Sequence, residues 1–190
     1  MVMAMSTKTV KNAPVTPAFT ASAELAADLQ RALVDITALS LVGKQVHWNV
    51  VGPNFRDLHL NLDEVVDIAR EGSDELAERM RAINAYPDGR PATVAEQTFV
   101  PEAPEAGVIT ADAVDYIVSA INAVTTTLRE IHGAVDEADP SSSGILEDYT
   151  QRLEQQSWFL SAQNYSKSPL NRCSYSAFAN ICRSPKALIA

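Results

Sequence analysis

Apolar residues recur at helical spacing in four long stretches of this chain. The first runs from Ala23 to about Asn49, with Leu25, Leu29, Ala32, Leu33, Ile36, Leu39 and Val42 on one stripe, the repeat of an amphipathic helix. The second follows Gly52-Pro53 and runs to about Ala85, carrying Leu58, Leu62, Val65, Val66, Ala69, Leu76, Met80 and Ile83, until Tyr86-Pro87-Asp88-Gly89-Arg90-Pro91 stops it. A long connection broken by Pro101, Pro104 and Gly107 then leads to Thr110, with a short helix expected around Thr93 to Gln97. The third helix, from about Asp112 to Glu137, shows Val114, Ile117, Val118, Ile121, Val124, Leu128, Ile131 and Val135. Asp139-Pro140-Ser141-Ser142-Ser143-Gly144 reads as a separator before a fourth helix with Ile145, Leu146, Tyr149, Leu153 and Phe159. No β-sheet is expected. The pattern predicts an all-α four-helix bundle whose long crossover lets the second and third helices run in the same sense.

At 190 residues and 46% hydrophobic, the chain is large enough for one buried core, and no internal repeat divides it. Residues 1 to 20, with Pro14 and Pro17, read as a flexible arm; residues 21 to 163 form the bundle, and 164 to 190 are a tail without an assigned role. No apolar run reaches the length of a membrane span and the start lacks a secretory pattern, so a cytoplasmic protein is expected. Cys173 and Cys182 both fall in the tail and fit no zinc pattern.

Charge is distributed unevenly. All 24 acids lie between Glu24 and Glu154, whereas six of the 15 bases lie outside that span: Lys8, Lys11, Lys167, Arg172, Arg183 and Lys186. An acidic body repels a polyanion except through such ends, and it concentrates cations.

The chemistry gathers in one place. His47 and His59 are two of only three histidines, and Asp63, Asp74 and Glu78 follow at spacings a metal could use. Imidazole nitrogen with carboxylate oxygen suits iron, manganese or zinc. On the second helix His59 and Asp63 are four residues apart, as are Asp74 and Glu78, so each pair shares a face. Eleven residues, about three turns, separate the pairs; all four therefore share one stripe, yet Asp63 and Asp74 are roughly 16 Å apart along the axis. One helix cannot close the site. Two copies packed antiparallel about a twofold axis near residues 68 and 69 would set His59 and Asp63 of one against Asp74 and Glu78 of the other, giving two identical intersubunit sites per dimer. His47 must come from the preceding helix, because Gly52 and Pro53 interrupt the segment. Charged residues at helical spacing ordinarily form a solvated face; it is the five together that argue for a metal. No Glu-x-x-His motif, the intrabundle ligand set of other di-iron bundles, is present: Lys44, Arg56 and Arg129 stand three residues before His47, His59 and His132. His132 is expected to be a surface or capping histidine.

Lys44, His47-Trp48-Asn49, Gly52-Pro53, Phe55, Leu58-His59, Asp63 and Asp74-Glu75-Leu76-Ala77-Glu78-Arg79 resemble the Dps family, the DNA-binding proteins from starved cells of the ferritin-like superfamily. The likeness covers roughly residues 24 to 160, including the Pro87-Asp88-Gly89 turn and Gln156-Ser157-Trp158-Phe159-Leu160. It implies a ferritin-like four-helix bundle, a hollow shell of twelve subunits, and two-iron oxidation sites at dimer interfaces. His47, His59 and Asp63 would come from one subunit and Asp74 and Glu78 from its neighbour, with Trp48 beside the metal or filling the interface. Ferrous ion would be oxidised by hydrogen peroxide or dioxygen and stored as ferric mineral, protecting DNA. Two rival functions remain open: a nucleoid-associated DNA-binding shell acting through its basic ends, and a hydrolase using the same interface metal.

Two positions depart from the family pattern. Where relatives carry an acid just before the apolar pair opening the last helix, beside an ion pore, Ser143 and Gly144 stand here. Such a pore would have to use Asp136, Glu137, Asp139, Glu147 or Asp148. Ser161-Ala162-Gln163-Asn164 replaces the basic, histidine-containing continuation.

Overall fold

A computed structural model describes residues 18–164. The expected arm and tail, with both cysteines and all six terminal bases, lie outside the described residues or, for residues 18–20 and 164, at their edges. Helix α1 spans Ala23–Asn49 and starts at Ser22, whose hydroxyl accepts from the Leu25 N–H at 3.1 Å, satisfying one of the free amides of the first turn. Strand β1, Val50–Val51, leads through a turn to α2, Phe55–Ala82. The short α3, Pro91–Gln97, lies in the crossover, β2 is Val108–Ile109, and α4 (Thr110–Ala138) and α5 (Pro140–Gln163) complete the chain.

The sense of the helices follows from what they touch. Val50 and Val51 pair in parallel with Val108 and Ile109, so α2 and α4, which follow those strands, leave the same end of the molecule. Contacts from α5 to α2 run in opposite order, Arg152 to Glu71 and Gln156 to Asn61, so α5 returns against both. This is an all-α, ferritin-like bundle in which α2 and α4 run parallel, as the crossover required. The stripes legible in the sequence meet at its centre: Leu29, Leu39, Leu62, Val65, Ile117, Ile121, Leu128 and Leu153 are all fully buried. Gly72 lets α5 approach α2 closely, since a Cβ there would sit 2.8 Å from the ring of Tyr149, a fully buried side chain whose hydroxyl donates to Glu75.

Three expectations need correction. The two-residue parallel pair is a small sheet where none was expected; at two residues it is too short to show any alternation. Helix α2 ends at Ala82 rather than near Ala85, because Asn84 takes a left-handed φ of 63°. Pro140-Ser141-Ser142-Ser143-Gly144 is the first turn and more of α5, not a separator. Proline at the first helical position needs no N–H and has the right φ, and two of the serines find partners on neighbouring helices. Ser142 accepts from Arg79 Nε at 3.0 Å, and Ser143 donates to Asp136 at 2.7 Å.

Candidate metal site

The site forms where α1 ends and α2 begins. Gly52 carries the chain round with φ 122° and Asn54 with φ 58°. The first is a conformation that L side chains rarely adopt, and a Cβ on Gly52 would also meet the Thr110 hydroxyl at 3.2 Å. The turn sets the last three turns of α1 against the first three of α2, antiparallel, and it is there that His47, His59 and Asp63 meet. One donor atom from each lies within 4.8 Å of the others.

The two histidines fix each other. His47 Nδ1 is 3.0 Å from the His59 carbonyl oxygen, and His59 Nδ1 is 3.1 Å from that of His47. A carbonyl can only accept, so both Nδ1 atoms carry a proton, which leaves Nε2 as the nitrogen each ring would offer to a metal. Their rings stack with centroids 3.6 Å apart, and Phe55 tilts against His59 at 5.0 Å. Burial pushes the His47 imidazole below its ordinary pKa of 6.5, against the opposing pull of the His59 carbonyl and Asp63. It is therefore neutral at physiological pH, the form that ligates. Asp63 is held below the usual carboxylate range, chiefly by the hydrogen bond from Lys44 Nζ. Two imidazoles and one carboxylate within reach of one another match the two-histidine, one-carboxylate set that holds ferrous iron.

Asp74 and Glu78 do not join this cluster. Helix α2 is continuous across the interval, and both are exposed on its later half. Trp48 is 72% exposed on the last turn of α1. His132 is a surface histidine as expected, 3.0 Å from Glu147. Among the candidate pore acids, Asp136 accepts from Ser143, Asp139 pairs with Arg79 at 2.6 Å, and Asp148 faces Arg152 at 3.4 Å; Glu137 is exposed. Lys44 and Phe55 were legible only as motif letters. Their signal was positional: Lys44 precedes His47 by one turn and Asp63 follows His59 by one, which makes them neighbours once α1 and α2 lie antiparallel.

The family model described as ferritin-like domain matches residues 26–165. The DNA protection during starvation protein of Mycolicibacterium smegmatis is 33% identical over 137 residues, 70% of this chain and 73% of its own. The chain belongs to the Dps family. The structure of Dps from Microbacterium arborescens in its high iron form superposes with a TM-score of 0.71 at 35% identity, covering 77% of this chain and 98% of that one. Also similar is the fine tangled pili major subunit of Haemophilus ducreyi, 36% identical over 142 residues, 73% of each chain. Among the described residues His47, His59 and Asp63 are the group of histidine and acidic side chains close enough to share one metal ion.

Proposed function

We propose that this Dps-family protein oxidises ferrous ion at sites completed between two copies and stores the ferric product inside a closed, dodecameric shell. The observation that carries the reading is the convergence of His47, His59 and Asp63 with both imidazole Nε2 atoms left available. A Dps relative whose structure is described as a high iron form supports iron as the substrate. Asp74 and Glu78 of a second copy would close the site, because α2 keeps them about three and about four turns from Asp63 in the same chain.

In this reading His47 and His59 hold ferrous ion as neutral ligands, and Asp63 with the partner's Glu78 offsets the charge that rises on oxidation. Asp74 holds a weaker second ion or orients a histidine. Trp48, beside His47 in sequence and open to solvent, would lie next to the metal and under the covering copy. Two ferrous ions each lose one electron; hydrogen peroxide takes both with two protons, its O–O bond breaks, and two waters leave. Pairing the electrons consumes peroxide without releasing hydroxyl radical, which would protect DNA as the relatives' names describe. The test is anaerobic mixing of the metal-free protein with ferrous ion and peroxide while following ferric absorbance. His47→Ala with His59→Ala is expected to slow oxidation at least about 10- to 100-fold, the scale of ligand-shell losses. A rate equal to the parent's sinks the assignment.

A further inference from the structure

Lys44 lies one turn before His47 on α1, and its Nζ donates to Asp63 Oδ1. That same oxygen is 3.3 Å from His47 Nδ1. The Lys44 side chain is only 21% exposed, so its stem is packed and its ammonium is held at the donor cluster instead of ranging in solvent. A metal among His47, His59 and Asp63 would therefore meet a fixed positive charge within a few ångström. Asp63 cannot offer Oδ1 to both cations without bringing like charges together.

The charges then count in a particular way. An imidazole that ligates a metal through one nitrogen brings no charge, Asp63 contributes one negative charge and Lys44 one positive, so the half-site offered to a metal by one chain has none. Asp74 and Glu78 of a second copy would add two negative charges, equal and opposite to a divalent ion. We propose that Lys44 is an internal counter-cation that keeps the half-site neutral, so that a divalent metal is retained firmly only where a second copy adds its acids. Lys44 is thus a positioning and selectivity residue: it ties metal retention to assembly. The proposal rests on the intersubunit reading above.

Cobalt(II) tests it by calorimetry and by its visible absorption, which reports coordination apart from iron turnover. The full-length metal-free protein is compared with Lys44→Met, Lys44→Gln and Lys44→Arg, after circular dichroism and sedimentation show that each is folded and assembled. Lys44→Met is expected to bind cobalt about tenfold or more tightly, the scale of one partly screened charge removed, and Lys44→Arg to keep parental affinity. Lys44→Gln removes the charge with a polar side chain and carries the same expectation if Lys44→Met does not assemble. Asp74→Asn with Glu78→Gln should lose cobalt while Lys44 is present and regain part of it when Lys44→Met is added. Unchanged or weaker binding in the charge-removing variants overturns the proposal, the weaker result meaning that Lys44 only holds Asp63 in place. His47→Ala with His59→Ala separates the two failures. If that variant binds cobalt as the parent does, the metal site itself is wrong; if it loses cobalt while the Lys44 variants behave as parent, only the role of Lys44 is wrong.

Discussion

Single residues matter most here where a polar group is buried. Asp35 is 1% exposed in the middle of α1 and accepts three hydrogen bonds: from the Thr98 hydroxyl at 2.8 Å, the Phe99 N–H at 2.8 Å and the Thr127 hydroxyl at 2.7 Å. It joins α1, the crossover and α4 at one point. A reading of apolar periodicity passes over it, yet its phase, three residues after Ala32 and four before Leu39, placed an acid on the buried stripe. Asp35→Ala would strand the buried Thr127 hydroxyl and remove the partner of the part-buried Thr98 hydroxyl and Phe99 N–H, at about 1–3 kcal/mol for each group left without a partner it cannot replace by water. A net loss of roughly 3 kcal/mol in urea unfolding is expected, with Asp35→Asn, which keeps one acceptor oxygen, losing about half as much. A change within about 0.5 kcal/mol for the alanine variant would show that water satisfies these groups instead.

At the level of elements, the four long helices were legible because each carries an unbroken apolar stripe, and α1 begins and ends where its stripe does. The start of α5 was not. Pro140 and three serines have the composition of a loop, and only the tertiary partner Arg79 shows why they are helical: it donates to Ser142 and pairs with Asp139, the residue that ends α4 and caps α5. Burial alone would raise the Asp139 carboxyl; the hydrogen bonds from Arg79 and Ser142 outweigh it and hold the group below its ordinary 3.8. A depressed folded pKa contributes stability that is present above the unfolded value and lost as pH falls through the folded one. Arg79→Ala should therefore melt earlier than the parent at pH 7, by about 2 kcal/mol once the partial exposure of Arg79 is allowed for. The two melting curves should converge as pH falls below 3.8 and through the depressed folded value, as Asp139 becomes protonated in both. A gap that persists undiminished in acid would mean that Arg79 acts by packing alone.

For the whole molecule, the sequence allowed the site to be drawn further than one chain can build it. His47, His59 and Asp63 meet because the turn at Gly52 folds α1 back on α2, and their spacing announced this; Asp74 and Glu78 share the face but stay on the far half of a continuous helix. Helix rise fixes their separation, and the proposed function takes them from a second copy. Mixed subunits put this to a direct trial. One variant carries His47→Ala and His59→Ala, the other Asp74→Asn and Glu78→Gln, and neither alone should oxidise iron. When the two are unfolded together in equal amounts and reassembled, half the dimers pair unlike chains, and each of these holds one intact site and one doubly defective site. Oxidation should return to about a quarter of the parental rate per chain, the random-pairing value for a twofold interface that takes ligands from both sides. A site built within one chain would give no recovery, since no chain in the mixture has all five residues. Parental activity in the Asp74→Asn, Glu78→Gln variant on its own would place those two acids outside the site.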